Sequence, residues 1–250
     1  DHYPRQLRLI VGSALSLLAK ERTIAPGEYA MTFSLFKPTR AKVEEFLSTA
    51  GELNYDEKCG TRGLADEEEV SRLKSKGYRV CRRSVAIGEG WSDYRRAVAK
   101  LKQWDHIQLG WTTVVPDAPV KKGSDVCLCA RLLPPIGAWV MNPLNTVYVE
   151  TKRTKVPLLN LVPILPLGYN SSRFSFAAGT KKGHLLAGEE RFSVSIDKKD
   201  KSVTYEISSL SKPAHLLSRV GYPLVCLLQS GFIRHSTRSM ARKMRREKPL

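Results

Sequence analysis

His184, Glu189 and Glu190 lie close together in the chain, and an imidazole with two carboxyls could supply an acid, a base and a positioning group for proton transfer. Both glutamates open a segment that alternates apolar and polar residues as a strand does. Successive strand side chains point to opposite faces, so only one of the two can enter an interior. The structural reading is a turn hydrogen bond for His184, one glutamate turned outward and the other facing the inside of a sheet. Cys127-Leu128-Cys129 places two thiols on one strand face. Zinc would need two further ligands at suitable spacing, and no Cys or His pair supplies them, so the thiols read as small buried hydrophobes. Ser, Cys or Thr nucleophiles with an organised His and carboxylate are not recognisable, nor is a Gly-x-x-x-x-Gly-Lys-Ser/Thr phosphate loop. Gly88-Glu89-Gly90 is too short for a dinucleotide fingerprint and reads as a turn. The motifs therefore predict no catalytic residue, no cofactor and no metal site.

The strongest electrostatic signal is cationic. Among 250 residues, 41 Lys+Arg face 24 Asp+Glu, a net charge of +17. Arg234, Arg238, Arg242 and Arg245 fall along one stripe of a helix, a ridge suited to RNA phosphates, anionic lipid or an acidic protein face. Arg72, Lys74, Lys76, Arg79, Arg82 and Arg83 form a second cluster, offset by Asp66 to Glu69. Neither has the interleaved aromatics of a single-strand binding platform.

Composition bounds the rest. At 42% apolar residues the chain can build one substantial core, and five scattered cysteines do not make a disulfide framework, which points to a reducing compartment. No apolar run reaches the roughly 18–20 residues of a spanning helix. The stretch from Val156 to Ser172 comes nearest, but Pro157, Pro163 and Pro166 each remove a backbone donor, so no transmembrane helix is expected. The sequence opens on Asp1 rather than Met, from which we expect an upstream segment removed by processing or lying outside the sequence. A basic mature chain then suits an organelle, the mitochondrion before the plastid.

The elements that would position these residues follow from periodicity. Leu7, Ile10, Val11, Ala14, Leu15 and Leu18 predict an N-terminal amphipathic helix, an extension over 1–30. Thr39 caps a second helix bearing Val43, Phe46 and Leu47. Asp66 with Glu69 resembles a capping box ahead of a short polar helix, and Ser92 opens a longer one through Trp104. From Ile107 to Val115 the period becomes two, and strands are predicted at 125–133, 136–142, 145–151, 172–180, 189–197 and 202–210. Beyond Pro213 a helical period returns through Leu217 and Leu228 to about Arg246, kinked at Pro223. Strands joined without helices favour antiparallel pairing. The predicted fold is α+β: a curved antiparallel sheet wrapped on a long C-terminal helix, of the helix-grip kind, with an N-terminal helical extension. The body spans 31–230 and a basic helical tail spans 231–250.

Asn54-Tyr55 with Gly60-Thr61-Arg62, Gly88-x-Gly90 leading to Leu101, Trp104 and Leu109-Gly110-Trp111, and Trp139 through Asn142-Pro143 to Val147-Tyr148-Val149 resemble the DUF1990 family. So do Gly179-Thr180, Gly183-His184, Gly188-Glu189-Glu190, Ser211-Lys212-Pro213 and Gly221-Tyr222-Pro223, in the same order over about 50–240. The resemblance implies a relative of helix-grip proteins that enclose an apolar cavity; the family's biochemistry is undefined. The chain departs from the family pattern at Lys181-Lys182, at Leu186 where relatives carry an acidic residue, and at Lys212 where they carry Arg. It also holds an insertion at about 151–173.

That insertion is apolar and stiffened by proline, and Leu158, Leu159, Leu161, Val162, Ile164, Leu165 and Leu167 should not stay wet. The first functional expectation is therefore a non-catalytic accessory subunit. It would dock onto protein subunits of an organellar assembly, a respiratory-type membrane complex or ribosome, through the insertion, the N-terminal helix and the basic tail. The alternatives are a carrier or sensor of a hydrophobic small molecule, with Trp111, Trp139, Tyr148, His184, Glu190, Phe192 and Tyr205 around a cavity, and an RNA-binding ribosomal accessory protein.

Overall fold

The computed structural model describes residues 33–132, 137–155, 169–214, 219 and 222–247. The expected N-terminal helix and the leucine-rich centre of the insertion lie outside these residues. In chain order the elements are β1 (Phe33–Ser34), α1 (Arg40–Thr49), a 3-10 turn (Gly60–Gly63), α2 (Glu67–Ser75), β2 (Arg79–Glu89) and α3 (Gly90–Lys102). Then come β3 (Thr112–Val115), β4 (Asp125–Arg131), β5 (Trp139–Lys155), β6 (Tyr169–Thr180), β7 (Leu186–Ile196), β8 (Ser202–Pro213) and α4 (Tyr222–Arg246).

The strands form one antiparallel sheet ordered β2-β8-β7-β6-β5-β4-β3, with β1 paired to β5. Among the described strands two steps cross the sheet, β1 to β2 and β2 to β3, and α3 makes the second. On the inner face α3 contributes Tyr94, Ala97 and Leu101, and α4 contributes Phe232, Ile233, Met240, Ala241 and Met244, to a core with Phe176, Phe192, Val194 and Tyr205. The sheet closed on its long C-terminal helix is the α+β helix-grip arrangement. On the outer face α1 covers Cys127, Cys129, Trp139 and Met141 with Val43, while α2 and the 3-10 turn cover Leu210 with Leu64, Leu73 and Tyr78.

Local signals explain most boundaries. Thr39 accepts from the Lys42 amide at 3.3 Å, and Asp66 from the Glu68 amide at 2.9 Å. Glu69 does not complete a capping box: its carboxylate takes the Arg72 guanidinium instead. Pro223 does not kink α4, because it sits in the first turn, where its missing amide removes no helical bond. The predicted strands 136–142 and 145–151 are one strand, β5, which runs on to Lys155, so much of the expected insertion is regular sheet. Residues 107–111 precede β3 rather than extending it, and Thr112 and Val114 are its buried pair.

Strand β2 escaped the periodicity. Its inward set Cys81 and Val85 is interrupted by exposed Arg82, Arg83 and Ser84, as befits an edge strand. The basic residues 231–246 are no separate tail but the second half of α4. Its inward side is core, and Arg234, Arg238, Arg242 and Arg245 line its solvent side. No helix among the described residues is long and apolar enough to cross a membrane.

One core residue carries an acid sensitivity. His106 is wholly buried among Trp104, Phe176, Phe192 and Tyr205, its ring centroid 4.4 Å from that of Phe192, and neither ring nitrogen has a hydrogen-bond partner. Burial, with Lys243 adding to it, lowers its pKa to about 3. Folded His106 therefore stays neutral below the usual imidazole range while the unfolded chain takes up a proton. Its stability contribution is intact above about pH 6.5 and falls towards pH 3, by at most about 1.4 kcal/mol per pH unit. His106→Phe is expected to match or exceed wild type in urea unfolding at pH 7, by up to roughly 1–3 kcal/mol. It should also show a shallower loss of stability between pH 6.5 and 4.

Candidate functional site

The inner face of the sheet fixes the site by register. Ala178 of β6 pairs with Glu190 of β7, Glu190 with Ser209 of β8, and Ser209 with Cys81 of β2, so these side chains form one row across four strands. Above this row, under the first half of α4, lies a cavity of about 160 Å³. Leu144, Phe192 and Trp111 continue its wall; Val225, Leu228 and Phe232 of α4 form its roof. Leu132 and the Leu185-Leu186 turn stand at the end of the sheet where α4 begins.

The neighbouring glutamates split as their strand requires. Glu189 points to the outer face, where its carboxylate accepts from Tyr55 Oη at 2.9 Å, the Cys59 amide at 2.8 Å, the Thr61 amide at 3.1 Å and the Thr61 hydroxyl. Asn54 donates to the Leu186 carbonyl at 3.1 Å and so ties the same loop to the β6–β7 turn. Tyr55 lies so close over the sheet that a Cβ at Gly179 would come 2.3 Å from its hydroxyl oxygen, and a Cβ at Gly188 would meet the Leu210 carbonyl at 2.0 Å. These contacts give the Asn-Tyr, Gly-Thr and Gly-Glu-Glu motifs one shared task, docking residues 54–61 against β7.

Glu190 points inward. Its Oε1 is buried without a hydrogen-bond partner, and burial alone pushes its pKa up to about 8. Ser209 Oγ beside it is also buried and unpartnered. His184 Nδ1 accepts from the Leu186 amide at 2.9 Å, which places the ring proton on Nε2, and burial lowers its pKa to about 4. The cavity therefore presents a neutral imidazole and, at neutral pH, a largely protonated carboxyl.

Of the residues expected around a cavity, Trp111, His184, Glu190 and Phe192 line it. Trp139 belongs to the outer cluster under α1; Tyr148 also faces outward, its hydroxyl 2.8 Å from that of Thr61. Tyr205 is deeper core, bonded to Ser236 at 3.1 Å. Sequence reasoning missed Ser209 and His106; the row opposite Glu190 was the signal for the first. Cys127 and Cys129 lie with sulfurs 3.8 Å apart beneath α1, and no cluster of three metal-ligating side chains occurs among the described residues. Arg238, Arg242 and Arg245 edge a groove against Val85 and Ala86, away from the cavity. Leu158, Leu159, Leu161, Val162, Ile164, Leu165 and Leu167 lie outside the described residues.

A family model described as a domain of unknown function, DUF1990, matches residues 64–239. A UPF0548 protein of Arabidopsis thaliana is 35% identical over 82% of this chain and 93% of its own length. One of Dictyostelium discoideum is 27% identical over 83% and 94%. Among solved structures, norcoclaurine synthase from Thalictrum flavum superposes with a TM-score of 0.40 at 10% identity, covering 69% of this chain and 90% of that one.

These findings overturn the accessory-subunit expectation. The family match runs to residue 239, so the start of the basic stripe belongs to the family's own domain and is no added appendage. What the body supplies is a cavity, which favours the small-molecule alternative.

The Glu189 anchor is directly testable. Glu189→Ala leaves the Tyr55 hydroxyl and the Cys59 and Thr61 donors without their acceptor, and is expected to lower unfolding free energy by about 3–5 kcal/mol in urea titration. Residues 54–61 should become the first region to exchange amide hydrogens.

Proposed function

The chain belongs to the DUF1990 family, and on that premise we propose that it is a carrier or sensor of an apolar small molecule, held between the sheet and α4. The observation that carries this reading is the cavity itself. It is walled by Leu144, Phe192, Leu228 and Phe232, and its few polar groups sit at one row of the sheet. An apolar concavity carrying a small number of placed polar groups is the usual form of a small-molecule site. A dry cavity on the order of 150 Å³ takes up a molecule of about benzene's size. Trp111 joins this wall to the rest of the body, since its indole donates to His235 Nδ1 at 2.9 Å.

The reading is binding rather than turnover. His184 spends Nδ1 on a turn hydrogen bond, and the inward Glu190 has no hydrogen-bonded base beside it. The outward Glu189 is fully occupied by the docked loop, which removes the second carboxyl that acid–base chemistry would use.

Filling the space tests the proposal. Ala178 is buried and lines the cavity opposite Glu190. Ala178→Leu is expected to weaken binding of a benzene-sized apolar probe such as toluene by about tenfold or more, read by titration calorimetry. Arg238→Ala, on the solvent side of α4, should leave it unchanged. Equal binding by wild type and Ala178→Leu would refute the reading.

A further inference from the structure

We propose that Glu190 and Ser209 are the recognition point of the cavity, and that its ligand is an apolar molecule carrying one hydrogen-bond-accepting oxygen of carbonyl type. The inference rests on the carrier reading and names the ligand class for the same site.

The argument is one of elimination among polar groups. Thr180 Oγ1 is engaged with both the amide and the carbonyl of Gly188, at 2.8 Å and 3.0 Å. Asn142 Nδ2 donates to the Leu128 carbonyl at 3.2 Å. Gln229 donates to Ser211 at 3.2 Å and accepts from Arg79 at 2.9 Å. Among the described residues of the lining, Glu190 Oε1 and Ser209 Oγ are the two buried atoms left unsatisfied, and they sit directly opposite each other on paired strands, with the His184 Nε2–H a further donor on the same wall. Buried polar groups in native proteins almost always have partners, so a pair left open on a cavity wall marks where a partner arrives.

The chemistry of that partner follows from charge. Cys81 on β2 and Tyr205 on β8 are the titratable groups that sense Glu190, and His184 shares the cavity wall; none is a cation. Arg79, two residues before Cys81 on β2, is held by Gln229 and Ser230 at 2.9 Å and 3.1 Å. Arg191, next in sequence, turns to the outer face and pairs with Glu206 at 2.9 Å. Without a counter-charge a buried carboxyl keeps its proton and acts as a donor. The carboxyl O–H and the serine O–H then both offer hydrogen to one acceptor. A carboxylate ligand would meet no positive charge here, and an ammonium ligand would first require Glu190 to ionise.

Three probes on one scaffold separate these cases: ethylbenzene, acetophenone and 1-phenylethylamine, titrated by calorimetry into wild type, Glu190→Gln, Glu190→Leu and Ser209→Ala. In wild type the ketone is expected to bind on the order of tenfold more tightly than the hydrocarbon. Its advantage should fade as pH rises through about 8, where Glu190 loses its proton. Glu190→Gln, whose amide still donates, should keep the preference and lose the pH dependence. Glu190→Leu and Ser209→Ala should bind the hydrocarbon as before, which shows them folded, with the ketone advantage gone or reduced. Equal wild-type affinity for ketone and hydrocarbon, or tightest binding by the amine with affinity growing with pH, overturns the ligand class but leaves the carrier reading standing. Failure of the hydrocarbon to bind wild type overturns both.

Discussion

Two adjacent glutamates on one strand cannot share a face, and the architecture around β7 depends on that constraint. The backbone sends Glu189 out and Glu190 in, and each side chain then organises its own layer. Outside, four donors converge on one carboxylate and dock a loop that leads into a single 3-10 turn. Inside, the Oε1 of an identical side chain is buried with no hydrogen-bond partner. The same chemical group is thus a structural staple on one side of the sheet and an unsatisfied acid on the other, the difference arising entirely from what surrounds it.

The helix α4 makes the second half of the site possible because its two ends face different environments. Its later turns bury Ser236, Thr237, Met240 and Met244 against the sheet and α3, closing the core tightly. Its earlier turns lie over the row of Ala178, Glu190 and Ser209, whose small members leave room beneath Val225 and Leu228. The bound space is therefore a product of residue size as well as curvature: a β-sheet row built of alanine and serine cannot fill the gap that a row of Phe176, Phe192 and Ile207 fills further along.

The sequence was most informative where one physical signal acted alone. The two-residue period of β7 and β8 gave the opposed glutamates and the inward set Phe192, Val194, Ile196, Val203, Tyr205 and Ile207 without ambiguity. Capping residues located α1 and α2. Legibility failed where burial came from both sides or from one edge. Trp139 and Tyr148 looked like cavity aromatics because aromatic content cannot say which face of a sheet is lined; the outer layers of α1 and the 3-10 turn claim them. β2 was hidden because an edge strand carries charge wherever solvent reaches it. His106 was invisible for the opposite reason, since nothing in its neighbours announces that a polar ring lies within an aromatic cluster.

The rim of the sheet has a consequence for how copies of the molecule behave towards one another. One border is the four-residue β3, and the other is the eleven-residue β2, whose outer backbone edge has no neighbouring strand among the described residues. A long unpaired border invites strand-by-strand polymerisation, and guarding cations discourage it. Arg83 stands exposed midway along that border, beside an Arg82 paired with Glu206 at 2.7 Å, on a chain of net charge +17, so the molecule repels its own kind at the place where fibre growth would begin.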